Sequence, residues 1–208
     1  MPRRSPVRDP EVASLEQLRD NLQAGALVAA RALLGCILER RIGRAVLRAR
    51  IVETEAYSQD DPASHCYGGQ TPRNAPMFGR AGLTYVYVSY GMHRCMNVVA
   101  GVEGTGEAAL LRAVEPLQGI DRMIAARGWQ GKPVRQLANG PGKLCAALSI
   151  GLEHNWVDLL ADGELRLIPG RLDPQETIIV TPRIGISKAV DWPRRFAISG
   201  NLYLSRRG

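Results

Sequence analysis

The sequence predicts a single mixed α/β (α+β) domain, and three observations carry the prediction. A helical period near the N-terminus gives way to strand patterns that come in pairs joined by tight turns, as antiparallel hairpins do. The chain has 208 residues, enough for one sizeable core, and it contains neither an internal repeat nor a separating linker. Apolar residues make up 45% and charged residues 23%, which places it among globular domains and not disordered chains.

Residues 1–14 are rich in Pro, Arg and Asp and are predicted to form an untethered tail, leaving 15–208 as the domain. Apolar residues at Leu15, Leu18, Leu22, Leu27, Ala30 and Leu34 predict a helix over 15–34, interrupted near Gly25. Gly35 to Arg41 is the first predicted strand. Ile42-Gly43-Arg44 makes the turn, and Ala45 to Tyr57 returns as the second.

Within that second strand, β-branched residues dominate Arg50 to Tyr57. A period of two places Ile51, Glu53, Glu55 and Tyr57 on one face and Val52, Thr54 and Ala56 on the other. Two acids on a face that helps close a core must be solvated, paired or used, because burial of an isolated charge is costly. An edge strand with its acids in water is the plain alternative to a functional carboxylate.

Residues 58–82 have little periodicity and many Pro and Gly, and a loop of this length inside a domain is often functional. It carries His65, Tyr67, Gln70, Thr71, Arg73 and Asn74. A lone loop histidine is more often solvated than catalytic. Leu83 to Tyr90 is the strongest strand pattern, and His93 to Val99 forms its partner across a Tyr90-Gly91-Met92 tip. Tyr85 and Tyr87 share a face. Tyr90, at the tip, is hard to bury within its own fold, and an aromatic projected there on a basic protein suits a wedge between base steps.

Ala108 to Val114 is a short apolar strand holding Arg112, which cannot shed its charge and so needs a carboxylate or phosphate partner. Helices are predicted over 117–126 and over 144–152, with Pro141 suited to a first helical position. The Asn139-Gly140-Pro141-Gly142-Lys143 stretch can hold a phosphate, yet it is too short for a Walker A loop and no Ser/Thr follows the lysine. Short strands are predicted at 165–168, 177–180 and 195–198.

The formal net charge is +7, and of the 27 basic residues only Lys132, Lys143 and Lys188 are lysines. Arginine excess suits bidentate phosphate contacts, although a GC-rich genome also raises it, so nucleic acid is the favoured partner. The four cysteines, Cys36, Cys66, Cys95 and Cys145, are scattered singly, which argues against a zinc site or disulfide framework and for a reducing compartment. No apolar run approaches the ~18–20 residues of a membrane span, and no apolar segment follows Arg3-Arg4 as a secretory signal requires.

Taken together, Arg50 to Tyr57, Gln70 to Asn74, Met77-Phe78, Tyr85-Val86-Tyr87, Tyr90-Gly91-Met92, Cys95-Met96-Asn97 and Leu110 to Ala113 resemble the alkyladenine (3-methyladenine) DNA glycosylase family. Gly140-Pro141 and Lys143-Leu144-Cys145 extend the likeness, which runs from about Ala29 to Leu204. The resemblance implies a curved, mainly antiparallel sheet with flanking helices and a protruding hairpin that inserts into DNA. It implies a monofunctional enzyme that hydrolyses the N-glycosidic bond of damaged purines flipped out of a duplex.

By the same resemblance Glu55 is the general base and Arg112 helps place its water. Tyr57, His65, Tyr87 and Asn97 form the base pocket, with Asn97 disfavouring normal guanine. Tyr90 and Met92 intercalate, and Thr71, Arg73, Arg94 and Lys143 meet the DNA backbone. No cofactor or metal is expected, and the expected partner is double-stranded DNA containing damaged purines, bound by a monomer with no membrane. The turn at 101–106 differs in length from that of vertebrate members, and His93-Arg94 stands where they carry an aromatic pair, trading apolar wedge surface for phosphate contact. The short N-terminus suits a bacterial, cytoplasmic protein acting on the nucleoid. Two other readings stay open: a glycosylase/lyase using a lysine such as Lys143, and a non-catalytic binder of distorted DNA.

Overall fold

The computed structural model describes residues 14–206. The tail expected over 1–14 lies outside them except for Ser14, whose Oγ accepts from the Gln17 amide and caps the first helix. The predicted interruption at Gly25 splits the N-terminal helix into α1 (Leu15–Gln23) and α2 (Ala26–Ala32). Gly25 adopts a φ of 101°, and the freed Ala26 amide donates to the Glu107 carboxylate at 2.6 Å. Leu18 and Leu22 are fully buried, each contributing on the order of 2 kcal/mol to docking of α1.

Among the described residues eight strands form one antiparallel sheet: β1 (Ile37–Ile42), β2 (Ala45–Tyr57), β3 (Thr84–Ser89), β4 (His93–Val99), β5 (Ala108–Gln118), β6 (Leu165–Ile168), β7 (Ile178–Thr181) and β8 (Arg195–Ile198). The order runs β3-β4-β5-β2-β1-β6, with β8 joining β2 and β7 flanking β8. Strand β2 is central. On one side it pairs with β5 from Arg48 to Tyr57; on the other, with β1 as far as Arg50 and then with β8 at Glu53 to Glu55. The edge-strand alternative is thereby excluded: Glu53 and Glu55 are both fully buried. The period of two holds where it matters. Thr54 Oγ1 turns to the helix layer, donating to the Ala30 carbonyl at 2.7 Å, while Glu53, Glu55 and Tyr57 turn the other way.

Three predicted boundaries are corrected. Strand β5 continues past Val114 to Gln118, where Glu115, Pro116 and Gln118 pair with Arg50, Ala49 and Arg48. A register shift between Arg48 and Ala49 accommodates Pro116, which has no amide to give the ladder. The helix placed at 117–126 accordingly starts later, as α3 (Ile120–Arg127) behind the left-handed Gly119. The helix predicted over 144–152 is α4 (Pro141–Ala147), ended by a Schellman motif. There Ser149 takes a φ of 52°, and the Ile150 amide turns back to the Cys145 carbonyl at 2.8 Å.

α1 packs on α2, which lies against β2 and β5, whereas α4 covers β4 and β5 and carries α3 alongside. All four cysteines are buried and free. Among the described residues no helix is long and apolar enough to cross a membrane.

A candidate active site beneath an exposed hairpin

The β3–β4 hairpin stands at one end of the sheet and pairs Ser89 with His93, leaving a three-residue tip. Tyr90 is 84% exposed and Met92 72% exposed. Tyr90 holds a φ of 48° ahead of Gly91 at 72°; a positive φ at a bulky residue is costly and points to a functional constraint.

Below the tip a cavity of about 570 Å³ opens, lined by Tyr57, His65, Arg73, Tyr85, Tyr87, Asn97 and Arg112 among others. This is within the ~300–1,000 Å³ of small-molecule sites. Its wall is aromatic. The rings of Tyr85 and Tyr87 stack at 5.3 Å and 23°, and His65 meets Tyr87 edge-on at 4.6 Å. His65 Nδ1 lies 3.0 Å from the Tyr85 hydroxyl. Partial burial, with Arg73 nearby, holds the His65 pKa below its ordinary 6.5. Burial likewise pushes the Tyr85 phenol up to about 12. The ring is therefore neutral near pH 7 and the phenol keeps its proton, so if Tyr85 donates to Nδ1 the Nε2–H is left for a ligand.

The floor is charged. Arg112 contacts Glu53 through Nε and Glu55 through Nη1, each at 3.2 Å. Burial works against its charge, but Glu55 and Glu53 more than offset this and hold its pKa above the ordinary value. Glu53 is tied away from the cavity: besides Arg112 it accepts from Arg195 Nε at 2.7 Å and from the Ser205 amide and hydroxyl at 2.6 and 2.7 Å, and neither Arg195 nor Ser205 is among the lining residues. Glu55 accepts at Oε1 from Arg112 and from the Ile184 amide at 2.8 Å, and at Oε2 from the Tyr57 hydroxyl at 2.9 Å. A carboxylate oxygen has about two acceptor sites, so Oε2 keeps one for a water. Burial first, then Glu55, raise the Tyr57 pKa, so that phenol stays a donor. Glu55 itself lies just beneath the lining, behind Tyr57 and Arg112.

The structure gathers Glu55, Arg112, Tyr57, His65, Tyr87 and Asn97 at one place. Asn97 spends its Nδ2 on the Tyr85 carbonyl, 3.1 Å away, which turns its Oδ1 free of that bond. Arg73 reaches the rim, where Nη2 donates to the Val88 carbonyl at 3.3 Å and the guanidinium lies 6.0 Å from the Tyr87 ring. Thr71 is outside the cavity: its amide donates to Asn74 Oδ1 at 2.6 Å, and Asn74 in turn ties the loop to the His65 and Gly69 carbonyls. Arg94 and Lys143 also lie off the lining. Lys143 Nζ donates to Asn139 Oδ1 at 2.7 Å.

Sequence reasoning missed one wall. Ile184, Gly185, Ile186, Ser187 and Lys188 line the cavity, as do Pro62 and Ala63. These segments are joined by the buried Asp61–Arg183 pair, whose guanidinium also donates to the Ala56 carbonyl at 3.0 Å and lies 4.5 Å from the Tyr57 ring. An arginine after Pro182 was the available signal, but its acid partner lies more than a hundred residues earlier, and no local pattern links them.

The family model described as methylpurine-DNA glycosylase (MPG) matches residues 20–202. A relative from Methanoculleus marisnigri is 50% identical over 182 residues, covering 86% of this chain and 92% of its own. One from Carboxydothermus hydrogenoformans is 47% identical, covering 87% and 94%. One from Francisella tularensis is 42% identical, covering 93% and 100%. Each bears the name "Putative 3-methyladenine DNA glycosylase". The chain belongs to the methylpurine-DNA glycosylase family.

Proposed function

We propose that this family member is a monofunctional 3-methyladenine DNA glycosylase that flips a damaged purine into the aromatic cavity and hydrolyses its N-glycosidic bond. The observation that supports this best is Glu55, a buried carboxylate with an unused acceptor site, set beside Arg112 under the aromatic cavity. Tyr90, projecting from the hairpin tip, takes the place the base vacates. The base stacks among Tyr57, Tyr87 and His65, worth ~1–3 kcal/mol per base and tolerant of purine identity.

The water oxygen attacks the sugar C1′, one water proton passes to Glu55, and the electron pair of the breaking C–N bond leaves with the purine. Positive charge develops on the sugar, so the carboxylate also stabilises the transition state electrostatically. Arg112, held by both glutamates, and the Ile184 amide fix the orientation of Glu55. Alkylated purines are already cationic and pair poorly, which lowers both the leaving barrier and the cost of flipping. Asn97, held on the cavity lining by its bond to the Tyr85 carbonyl, disfavours normal guanine by crowding the exocyclic amino group.

One observation favours a lyase as the second reading: Lys188, and not Lys143, lines the cavity. A lyase would use its amine to form a Schiff base with the opened sugar.

The deciding experiment incubates the protein with duplexes carrying 3-methyladenine, 7-methylguanine, hypoxanthine or ethenoadenine and quantifies released base. Free purine with an intact, alkali-labile abasic strand is expected. A borohydride-trapped adduct that disappears in Lys188→Ala would establish the lyase, and binding with no base release would leave a non-catalytic binder.

A further inference from the structure

Between Asp61 and Glu103 the chain contains no aspartate or glutamate, and the same is true between Asp121 and Glu153. The first stretch carries the hairpin and Arg94; the second carries Arg122, Arg127, Lys132, Arg135 and Lys143. Folding merges them. α4 packs on β4 so closely that a Cβ at Gly142 would sit 3.1 Å from the His93 Cβ. Arg94 and Ala126, next to Arg127 in sequence, line one cleft together with Glu153.

The opposite end of the sheet is built differently. There Glu39 is shared by Arg41, Arg48 and Arg166, and Arg40 pairs with Glu164. On the merged face, among the described residues, Arg94, Arg127, Lys132, Arg135 and Lys143 enter no ion pair. The arginines of β1, β2 and β6 named above are thus ion-paired, whereas these five cations are not.

The bare cations sit on a rigid base. Arg127 Nη1 donates to the Gln136 and Leu137 carbonyls at 3.0 and 2.6 Å, and Trp129 Nε1 donates to the Pro133 carbonyl at 3.1 Å. The Arg127 guanidinium and the Lys132 ammonium lie 4.3 and 4.5 Å from the Trp129 ring, so the indole holds both. Burial, and then the neighbouring Arg127 charge, hold the Lys143 pKa below its ordinary value. Unpaired like charges held together raise the free energy of the unbound state, and regularly spaced anions relieve it.

We infer that the Trp129-centred loop over 127–135, continuous with Lys143 and Arg94, is a second DNA contact that grips backbone phosphates of the duplex to one side of the lesion. The inference rests on the glycosylase reading for its choice of anion. It makes the footprint on DNA asymmetric about the flipped base, with the hairpin tip at one margin of the positive face and the loop extending away from it.

The test uses the full chain and Lys132→Ala/Arg135→Ala, two exposed positions outside the cavity. Binding to a duplex with an abasic-site analogue is measured over a salt series. The slope of log K against log salt should fall by ~1–2, at about 0.9 per lost phosphate contact. Single-turnover excision at saturating enzyme should be unchanged. Shortening the duplex arm on one side of the lesion should lower the wild-type slope to that of the variant, and shortening the other arm should not. An unchanged slope in the variant, equal effects of both arms, or loss of binding to anionic lipid vesicles in place of DNA would overturn the inference. A reduced slope with no base release from any lesion would keep the loop as a DNA surface and sink the glycosylase reading instead.

Discussion

Glu53 and Glu55 reach Arg112 at the same distance, 3.2 Å, and differ in everything else around them. Glu53 is closed in by Arg195 and by the amide and hydroxyl of Ser205. Glu55 faces Tyr57 and the Ile184 amide under the cavity floor. Two residues of the same type on the same strand face therefore divide into a structural anchor and a candidate base.

Glu55→Gln should lower single-turnover excision by ~10²–10⁴-fold, the range for loss of a general base, while binding to abasic-analogue DNA persists. Glu53→Gln should act on folding, because it leaves Arg112 and Arg195 underpaired inside the protein, at a cost of ~3–5 kcal/mol. Thermal unfolding and excision rates on both variants separate the roles. Excision within threefold of wild type in Glu55→Gln would refute its assignment.

Tyr90→Ala should change stability by no more than ~0.5 kcal/mol, since the side chain is 84% exposed and packs on little. Excision should fall, more steeply for a well-paired lesion than for a mispaired one, where flipping already costs less. Equal losses on both duplexes would count against a wedge at the hairpin tip.

His65 gives a pH signature. Its pKa lies below 6.5, so the ring is neutral at pH 7 and gains charge only as the pH falls through that lowered value. A positive ring in the pocket repels a cationic base. Between about pH 8 and pH 5, excision of 7-methylguanine should therefore fall relative to that of neutral hypoxanthine. In His65→Gln the ratio should be flat across the same range. A ratio that stays flat in the wild type would remove His65 from contact with the base.

Asp61→Asn should destabilise the fold by ~3–5 kcal/mol, because it strands the fully buried Arg183 guanidinium. The same substitution loosens the face against which Tyr57 packs. Added 3-methyladenine should therefore inhibit the variant less than the wild type at a temperature where both are folded. Undiminished inhibition would separate the ion pair from the pocket.

Local pattern was enough to locate β2, the β3–β4 hairpin and the start of β5, because strand periodicity and turn residues act over a few neighbours. It also required a partner for Arg112, since an arginine in an apolar run cannot stay bare, and it put Glu55 and Tyr57 on one face. Choosing between Glu53 and Glu55 was beyond it: the strand offers both alike, and only Arg195 and Ser205, arriving from far along the chain, tie the first away from the cavity. The wall from Ile184 to Lys188 and the Asp61–Arg183 clamp also exist only once the chain has closed on itself. Strand identity is a property of neighbours in sequence. Which carboxylate stays available to a substrate is decided by whether the partners around it line the cavity, and those partners meet only in three dimensions.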